Sequence, residues 1–400
     1  MTHRISTPML YQQSISTLQS RQADLSKLQQ QLATGKKLLT AKDDPVGAGS
    51  AVALDRALSE LGQFGANADT VRHRLGLQEN ALAQAGEIMG RVSERAIQAN
   101  GGTLSDGDRH SIAIEVRSLR TALLDVANTP DGTGRYLFGG SRDANPPFAR
   151  GPAGVAYGGD QTRRSVEVAP QIFVQDTMPG SEAFMRARTG DGRVDAGADS
   201  GNSGTGVVSG FGLIDSGAWQ GDAYRISFAA DGAFAVEDAD GNPVAGGTHS
   251  PGEAIEFHGL RLVVDGAPAE GDAFTIGPAA PRSVFETLDG LLAALTMDPT
   301  TEAQRTAQQN ALQSAMRNVA TAQEHLIDVR AEGGAGLSMI EQADDLRAAH
   351  GLTIETTLSG LRDLDYAEAI SRFELEMVAL EAAQLSFMQM QRLSLFGLIR

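Results

Sequence analysis

The sequence predicts an α+β protein in which long helices at the two ends of the chain pair with each other and a mostly β region lies between them. Glycine and proline give the first indication, because 28 of the 46 glycines and 9 of the 14 prolines fall between residues 131 and 280. Residues 1–130 and 281–400 are instead rich in Leu, Ala, Gln, Glu and Arg, which favour helices. The second indication is a heptad-like apolar repeat near each end.

Composition excludes several classes of protein. The 400 residues include no cysteine, so disulfide frameworks, thiol catalysis and cysteine metal sites are excluded. A formal net charge of -17 without a basic tract argues against a nucleic-acid partner. No apolar run approaches the ~18 residues of a transmembrane helix, so no membrane partner is expected. The first residues lead into Gln-rich polar sequence, which predicts that no signal peptide is cleaved.

Three helices are predicted in the N-terminal flank. The first begins after Pro8 and ends at Gly35, a residue suited to a helix C-cap. The second begins at Asp44-Pro45 and runs to about Asn100, and Ser105 with Asp108 opens the third as a capping box. The apolar stripe of the first helix consists of Tyr11, Ile15, Leu18, Leu25, Leu28 and Leu32.

The C-terminal flank shows the same signals. Ser283 opens a short helix, Pro299 opens one to about Arg330, and the glycines at 333–336 predict a break before a helix to about Leu361. The last helix carries a 3.5-residue repeat consisting of Tyr366, Ile370, Phe373, Met377, Leu380 and Phe387. A second apolar line on another face consists of Leu375, Val378, Leu385 and Met388. A helix that is apolar on two faces needs more than one neighbour.

The middle of the chain reads as short strands separated by turns. Asp231-Gly232 between two alternating segments predicts a β-hairpin. The segment that begins at Gly221-Asp222 resembles the one that begins 50 residues later at Gly271, which predicts two similar β units or a strand paired with its equivalent. Residues 189–206, with six glycines and no aromatic residue, are predicted to form a loop.

Residue patterns typical of catalysis are absent from the sequence. The seven histidines never form the two-histidine helical pair of a zinc protease, and Thr34-Gly35-Lys36 lacks the rest of a phosphate-binding loop. Asp238 to Asn242 has its glycine at the wrong position for a calcium loop, so a β-turn is favoured. We therefore expect no enzyme activity, cofactor or metal. A calcium-binding adhesin or an enzyme within residues 141–280 stays as an alternative, because the loop at 189–206 carries three aspartates.

The charge of the chain is uneven. All four lysines lie between residues 27 and 42, and residues 1–42 contain six basic side chains against one acidic one. A basic arm on an acidic body could steer self-association or partner docking. Chance, with a preference for Arg elsewhere, explains the pattern equally well.

Two amphipathic helices at opposite ends of a chain, each too apolar on one stripe to be stable alone, are most simply satisfied by pairing with each other. The second apolar line of the last helix then still lacks a neighbour. Packing between subunits would cover it. The physical interpretation is a protein whose termini form an assembly surface and whose middle projects outward.

At this point the sequence resembles a known family. Arg4-Ile5-Ser6-Thr7, Leu32 to Lys36 and Asp43-Asp44-Pro45 are similar to the N-terminal signature of bacterial flagellins and their hook-associated relatives. Asp365 to Ser371 and Gln391 to Phe396 are similar to the C-terminal signature. Three further segments resemble the branch that joins hook to filament: Met9 to Gln13, Gly102 to Asp106, and Asn128 to Phe138.

The resemblance implies a non-enzymatic adaptor at the hook–filament junction, between hook-associated protein 1 and flagellin, needed for filament assembly and motility. It implies self-association in a ring and an extracellular location. Secretion would use the flagellar type III export apparatus and its chaperone, without a cleaved signal peptide. The implied domains are a terminal assembly domain at 1–42 plus 365–400, a helical stem at 43–140 plus 281–364, and an outward β domain at 141–280. A filament-forming flagellin, which shares both ends, is the alternative.

Overall fold

The computed structural model describes residues 7–101, 104–152 and 154–397. The predicted motif at Arg4-Ile5-Ser6, part of the motif at 102–106 and the last three residues of the chain lie outside this range. The described residues divide between two compact units, one formed by Met1–Ala66 with Asp344–Arg400 and the other by Asn67–Ala343. We call them the terminal unit and the middle unit.

Helices occupy both flanks, as predicted. In chain order they are α1 (Thr7–Thr34), α2 (Pro45–Ala99), α3 (Asp106–Ala127), the short α4 (Gly180–Phe184), α5 (Val284–Leu295), α6 (Glu302–Arg362) and α7 (Tyr366–Gly397). Their predicted starts are confirmed by the caps. The Asp44 carboxylate accepts the N–H groups of Val46 and Gly47, and capping boxes form at Ser105 and Ser283.

The predicted break within α6 is wrong, because the helix runs without interruption through residues 333–336. A glycine in a helix costs only about 1 kcal/mol relative to alanine, which neighbouring contacts can offset. At Gly336 the small residue fits a close contact with neighbouring side chains. A Cβ there would lie 3.2 Å from a methyl of Leu75 and 3.7 Å from one of Val174.

Fourteen strands are present in the described residues, all between 148 and 282. They are β1 (Phe148–Gly151), β2 (Gly154–Tyr157), β3 (Ser165–Ala169), β4 (Ile172–Gln175), β5 (Ala187–Arg188), β6 (Val194–Ala198), β7 (Val207–Leu213), β8 (Tyr224–Phe228), β9 (Ala233–Glu237), β10 (Pro243–Thr248), β11 (Ala254–Phe257), β12 (Leu260–Asp265), β13 (Ala273–Pro278) and β14 (Pro281–Arg282). The central β region is therefore confirmed.

The larger β structure is a pair of antiparallel sheets. One sheet has the order β10-β9-β8-β13-β6 and the other has the order β11-β12-β7. Their inward side chains share one core that includes Ile226, Phe274 and Leu262, all fully buried. Burial of these alternating apolar residues between two sheets is the usual source of stability in a sandwich.

Two sequence predictions about the strands are resolved by the pairing. The hairpin at Asp231-Gly232 forms between β8 and β9, and the two similar segments lie side by side, with Ile226 opposite Phe274. The predicted loop at 189–206 is wrong in part, because β6 lies within it and pairs with β13. Its Val194 and Ala196 are buried in the sandwich core, so apolar alternation outweighs the glycine-rich composition.

A second core in the middle unit joins helices α2, α3, α5 and α6 to the chain that follows α3. Its centre is an aromatic cluster in which the ring of Phe184 packs against those of Phe138, Phe148 and Phe285. The nearby Gln78 amide donates to the Leu137 carbonyl at 2.7 Å. These contacts hold the segment after α3 against the helices of this core.

A buried ion cluster secures the same segment. The Arg74 guanidinium lies 3.3 Å from the Asp143 carboxylate and 3.9 Å from that of Asp131. Asp131 also accepts the N–H groups of Thr133 and Arg135, which closes the turn. Within the Asn128 to Phe138 motif, Asp131 therefore has a structural role, because its carboxylate serves the fold of the middle unit.

Candidate assembly surface

The terminal unit is built on the pairing of α1 with α7, which confirms the predicted association of the two chain ends. At one end of the pair, Gly35 terminates α1 with a φ of +67°. A Cβ at this position would lie 2.8 Å from the Tyr366 hydroxyl, so glycine is required both for conformation and for space. The Leu364 N–H then donates to the Gly35 carbonyl and the Lys37 N–H to the Arg362 carbonyl, at 3.0 and 2.7 Å.

An ion pair fixes the loop between α1 and α2. The Lys27 ammonium lies 2.7 Å from the Asp43 carboxylate. That carboxylate also accepts the N–H and the hydroxyl of Thr40. These donors, led by Lys27, lower the pKa of Asp43 to about 2.

One face of α7 lies against α1. Residues on this face recur at steps of four and three, and they are less exposed than their neighbours: Ala369, Phe373, Glu376, Leu380, Ala383, Phe387 and Met390. The Phe387 ring packs on that of Tyr11 with 5.1 Å between centroids. On α1 the partly buried positions include Ile15, Leu18, Leu25, Leu28 and Leu32. We call this contact the α1–α7 seam.

The seam also contains a polar pair that the sequence analysis did not identify. Arg21, which interrupts the apolar stripe of α1, places its guanidinium 2.6 Å from the Glu376 carboxylate on α7. This hydrogen-bonded pair raises the pKa of Arg21 further above its ordinary value. The signal available in the sequence was that interruption, together with an acidic residue in register on the last helix.

A second face of α7 carries large apolar side chains that α1 does not cover. They are at least 48% exposed: Ile370, Leu375, Met377, Val378, Leu385 and Met388. At 100° per residue Val378 and Leu385 lie roughly opposite the seam, and the other four flank it at about 90–110°. We call this second face the open face of α7.

Half of the α7 residues predicted for the assembly surface thus lie in the seam and half do not. Phe373, Leu380 and Phe387 face α1, whereas Ile370 and Met377 belong to the open face. Tyr366 is 52% exposed beside Gly35. The predicted repeat length of 3.5 residues is correct. At every second position of the repeat, however, the residue in the seam is the one before the predicted residue, namely Ala369, Glu376 or Ala383, and these side chains are less apolar. The second apolar line of the sequence analysis lies entirely on the open face.

Candidate metal ligands do not cluster in the described residues. Within the parts of the chain that the structure covers, no three His, Asp or Glu side chains group closely enough to hold an ion. Asp238 instead accepts the N–H groups of Asp240 and Asn242 in the turn between β9 and β10, as predicted. Among the described helices, none combines the length and apolarity needed to cross a bilayer.

Comparison with known proteins separates the families that share such paired ends. Residues 5–143 match the bacterial flagellin N-terminal helical region. The crystal structure of FlgL from Xanthomonas campestris aligns with a TM-score of 0.72 and 49% sequence identity, over 76% of this chain and 99% of that one. The chain belongs to the FlgL family. This family is also called flagellar hook-associated protein 3, and the Escherichia coli K12 member is 27% identical over 396 residues, which are 99% of each chain.

Flagellins match far less of the chain. The B-type flagellin of Pseudomonas aeruginosa is 32% identical over 118 residues, which are 30% of this chain and 24% of that protein. FlgL membership is therefore favoured over the flagellin alternative, and it makes the chain a structural component of the bacterial flagellum. Contacts within one chain leave the apolar side chains on the open face of α7 exposed to solvent.

Proposed function

We propose that this FlgL relative is the adaptor at the hook–filament junction, where it links hook-associated protein 1 to flagellin and allows the filament to assemble. The observation that carries the proposal is the open face of α7. Large apolar side chains in a contiguous exposed patch mark a protein interface. A two-helix pair is marginally stable in water, so it gains most when neighbours cover its second face.

The arrangement around the proposed junction follows from this assignment. Copies associate in a ring through the terminal assembly domain, residues 1–42 with 365–400, while residues 141–280 project outward. The protein acts outside the cell, after secretion by the flagellar type III export apparatus with its chaperone and without a cleaved signal peptide. The absence of cysteine suits a chain that is exported unfolded and needs no disulfide.

A charge on the open face tests the proposal. Leu385→Asp adds a carboxylate that solvent hydrates in the monomer but that would be buried in the assembly, where an unpaired charge is costly. We expect the purified variant to keep the melting temperature of the wild type. In cells that lack the native gene, we expect it to be secreted without supporting filaments or swimming.

Leu385→Met is the matched control, because it keeps an apolar side chain of similar volume. Cells that carry it should swim. Motile cells that carry Leu385→Asp would show that the open face is not an assembly surface.

A seeding experiment separates the junction role from that of a filament subunit. Purified wild-type protein is mixed with filament fragments under conditions in which flagellin elongates them. We expect it to add at most a cap, because an adaptor does not propagate. Long filaments made of this protein alone would contradict the junction role.

A further inference from the structure

A groove in the middle unit lies between α6 and the segment formed by β6 and the loop that follows it. Its volume is about 360 Å³, near the lower end of the roughly 300–1,000 Å³ of ligand pockets. Small side chains on α6 form its floor, among them Ala307, Ala311 and Ser314. Gly197 and Ser200 line the opposite wall. The groove can therefore admit a side chain.

Arg317 lies at this groove without an anionic partner. Its guanidinium carbon sits 4.9 Å from the centre of the Phe211 ring, so one face of the cation is covered by an aromatic side chain. Within the described residues it makes no ion pair, and its buried Nε has no hydrogen-bond partner. Burial lowers the pKa of Arg317, and the opposing charge of Asp195 acts from beyond ion-pair distance.

Two other polar side chains around the groove, Asn310 and Asp199, are already engaged. The Asn310 amide accepts the Val208 N–H at 3.0 Å and donates to the Gly206 carbonyl at 2.9 Å. The Asp199 carboxylate pairs with Arg225 at 3.1 Å and accepts the Gly201 N–H. Of the charged side chains that line the groove, Arg317 is thus the one without an ion pair among the described residues, and a carboxylate matches a guanidinium in geometry and charge.

We propose that this groove binds an acidic side chain from a second copy of the chain, with the carboxylate on Arg317. A second copy is the occupant that the charges favour. The chain has 50 acidic against 33 basic residues, so neighbouring copies repel one another unless cations lie at their contacts. The inference rests on the proposed function, because copies become neighbours in the ring of the junction.

The lysine distribution provides a direct test. All four lysines lie between residues 27 and 42, so Arg317→Lys introduces the first amine-bearing side chain of the middle unit. A carbodiimide joins a lysine amine to a carboxylate that it contacts: the amide bond forms and the carboxyl oxygen leaves on the carbodiimide, which becomes a urea. We expect flagella that contain this variant to yield a crosslink from position 317 to an Asp or Glu of another copy.

One control variant tests the crosslinking reaction, and isotope labelling identifies which copies are joined. Arg225→Lys, beside Asp199, should crosslink within one chain and shows that the reagent works. Mixed flagella in which half of the copies carry an isotope label distinguish links between copies from links within a chain, by mass spectrometry. A link from position 317 to flagellin, to hook-associated protein 1 or to the same chain would overturn the proposal, and so would its absence while the control reacts.

A second measurement does not require an amine at the site. The chain has no cysteine, so Ser314→Cys provides a single thiol in the groove and Ser209→Cys one on an exposed strand position. We expect maleimide to label both in the monomer, but to label position 314 several-fold more slowly in flagella. Equal labelling of the two in flagella would show an uncovered groove. Failure of the variants to enter flagella at all would instead count against the junction role.

Discussion

The two units of this protein differ in how they bury apolar surface. In the middle unit, two large clusters contain fully buried side chains such as Phe184 and Phe274. Among the described residues of the terminal unit, the buried apolar side chains are Ala51, Phe64 and Ala369. The terminal helices are nevertheless rich in Leu, Met and Phe, which remain partly exposed in the seam or lie on the open face of α7.

The two units therefore differ in where their stability comes from. The middle unit has enough buried apolar area to be stable within one chain. The terminal unit leaves many of its Leu, Met and Phe side chains exposed, so the proposed assembly would stabilise it by covering them.

Matched truncations of phenylalanine should show the contrast most strongly. Phe184→Ala removes a ring that packs against three others in the middle unit, so we expect it to lower the free energy of unfolding by about 3–5 kcal/mol. Urea denaturation followed by circular dichroism measures the change. A loss below about 1 kcal/mol would mean that the aromatic cluster is not a tightly packed core.

Phe387→Ala makes the same change in the seam and should have a smaller, local effect. The ring is partly exposed and packs on Tyr11, so we expect a loss of about 1–2 kcal/mol confined to α1 and α7. Hydrogen exchange should show faster exchange of the α1 and α7 amides, with the sandwich amides unchanged. Limited proteolysis of the wild-type monomer should likewise cut within residues 1–40 and 365–400 first. Initial cuts within the middle unit would show that it, and not the terminal unit, is the less stable part of the monomer.

The smallest effect concerns the loop that follows α1. The folded pKa of Asp43, about 2, is lower than its ordinary value of 3.8, so the pair with Lys27 stabilises the loop above pH ~4. That contribution is lost as the pH falls through about 2, because protonation removes the charge. Carboxyl NMR titration should give the low pKa, and Lys27→Met should move it upward. A pKa near 3.8 in the wild type would contradict the ion pair.

Sequence reasoning succeeded where local signals and packing agree. The caps at Asp44, Ser105 and Ser283, the hairpin at Asp231-Gly232 and the paired terminal helices were all predicted, because each depends on residues close in sequence or on a long periodic stripe. It failed at 333–336 and at β6. At both places glycine favours a break or a loop locally, and tertiary packing overrides that preference.

The surface of α7 shows the same division within one helix. The 3.5-residue repeat of α7 can be read from the sequence. Because two faces of this helix carry apolar residues, the sequence does not tell which face is covered. Only the contact with α1 decides that Phe373 and Phe387 are covered while Met377 and Leu385 are left open. The interrupted stripe of α1 marks Arg21 but does not identify Glu376 as its partner, and no local pattern marks the groove at Arg317, because each brings together residues far apart in the chain.

The sequence by itself therefore determined the α+β class, the order of the elements and the resemblance to a flagellar family, since these depend on composition, periodicity and short motifs. The tertiary structure decided which apolar face of α7 is exposed, why α6 is continuous through its glycines and why Arg317 has no ion pair within the described part of the chain. All three features depend on which side chains are buried. Burial depends on which distant segments meet, and that is set by the packing of the whole fold.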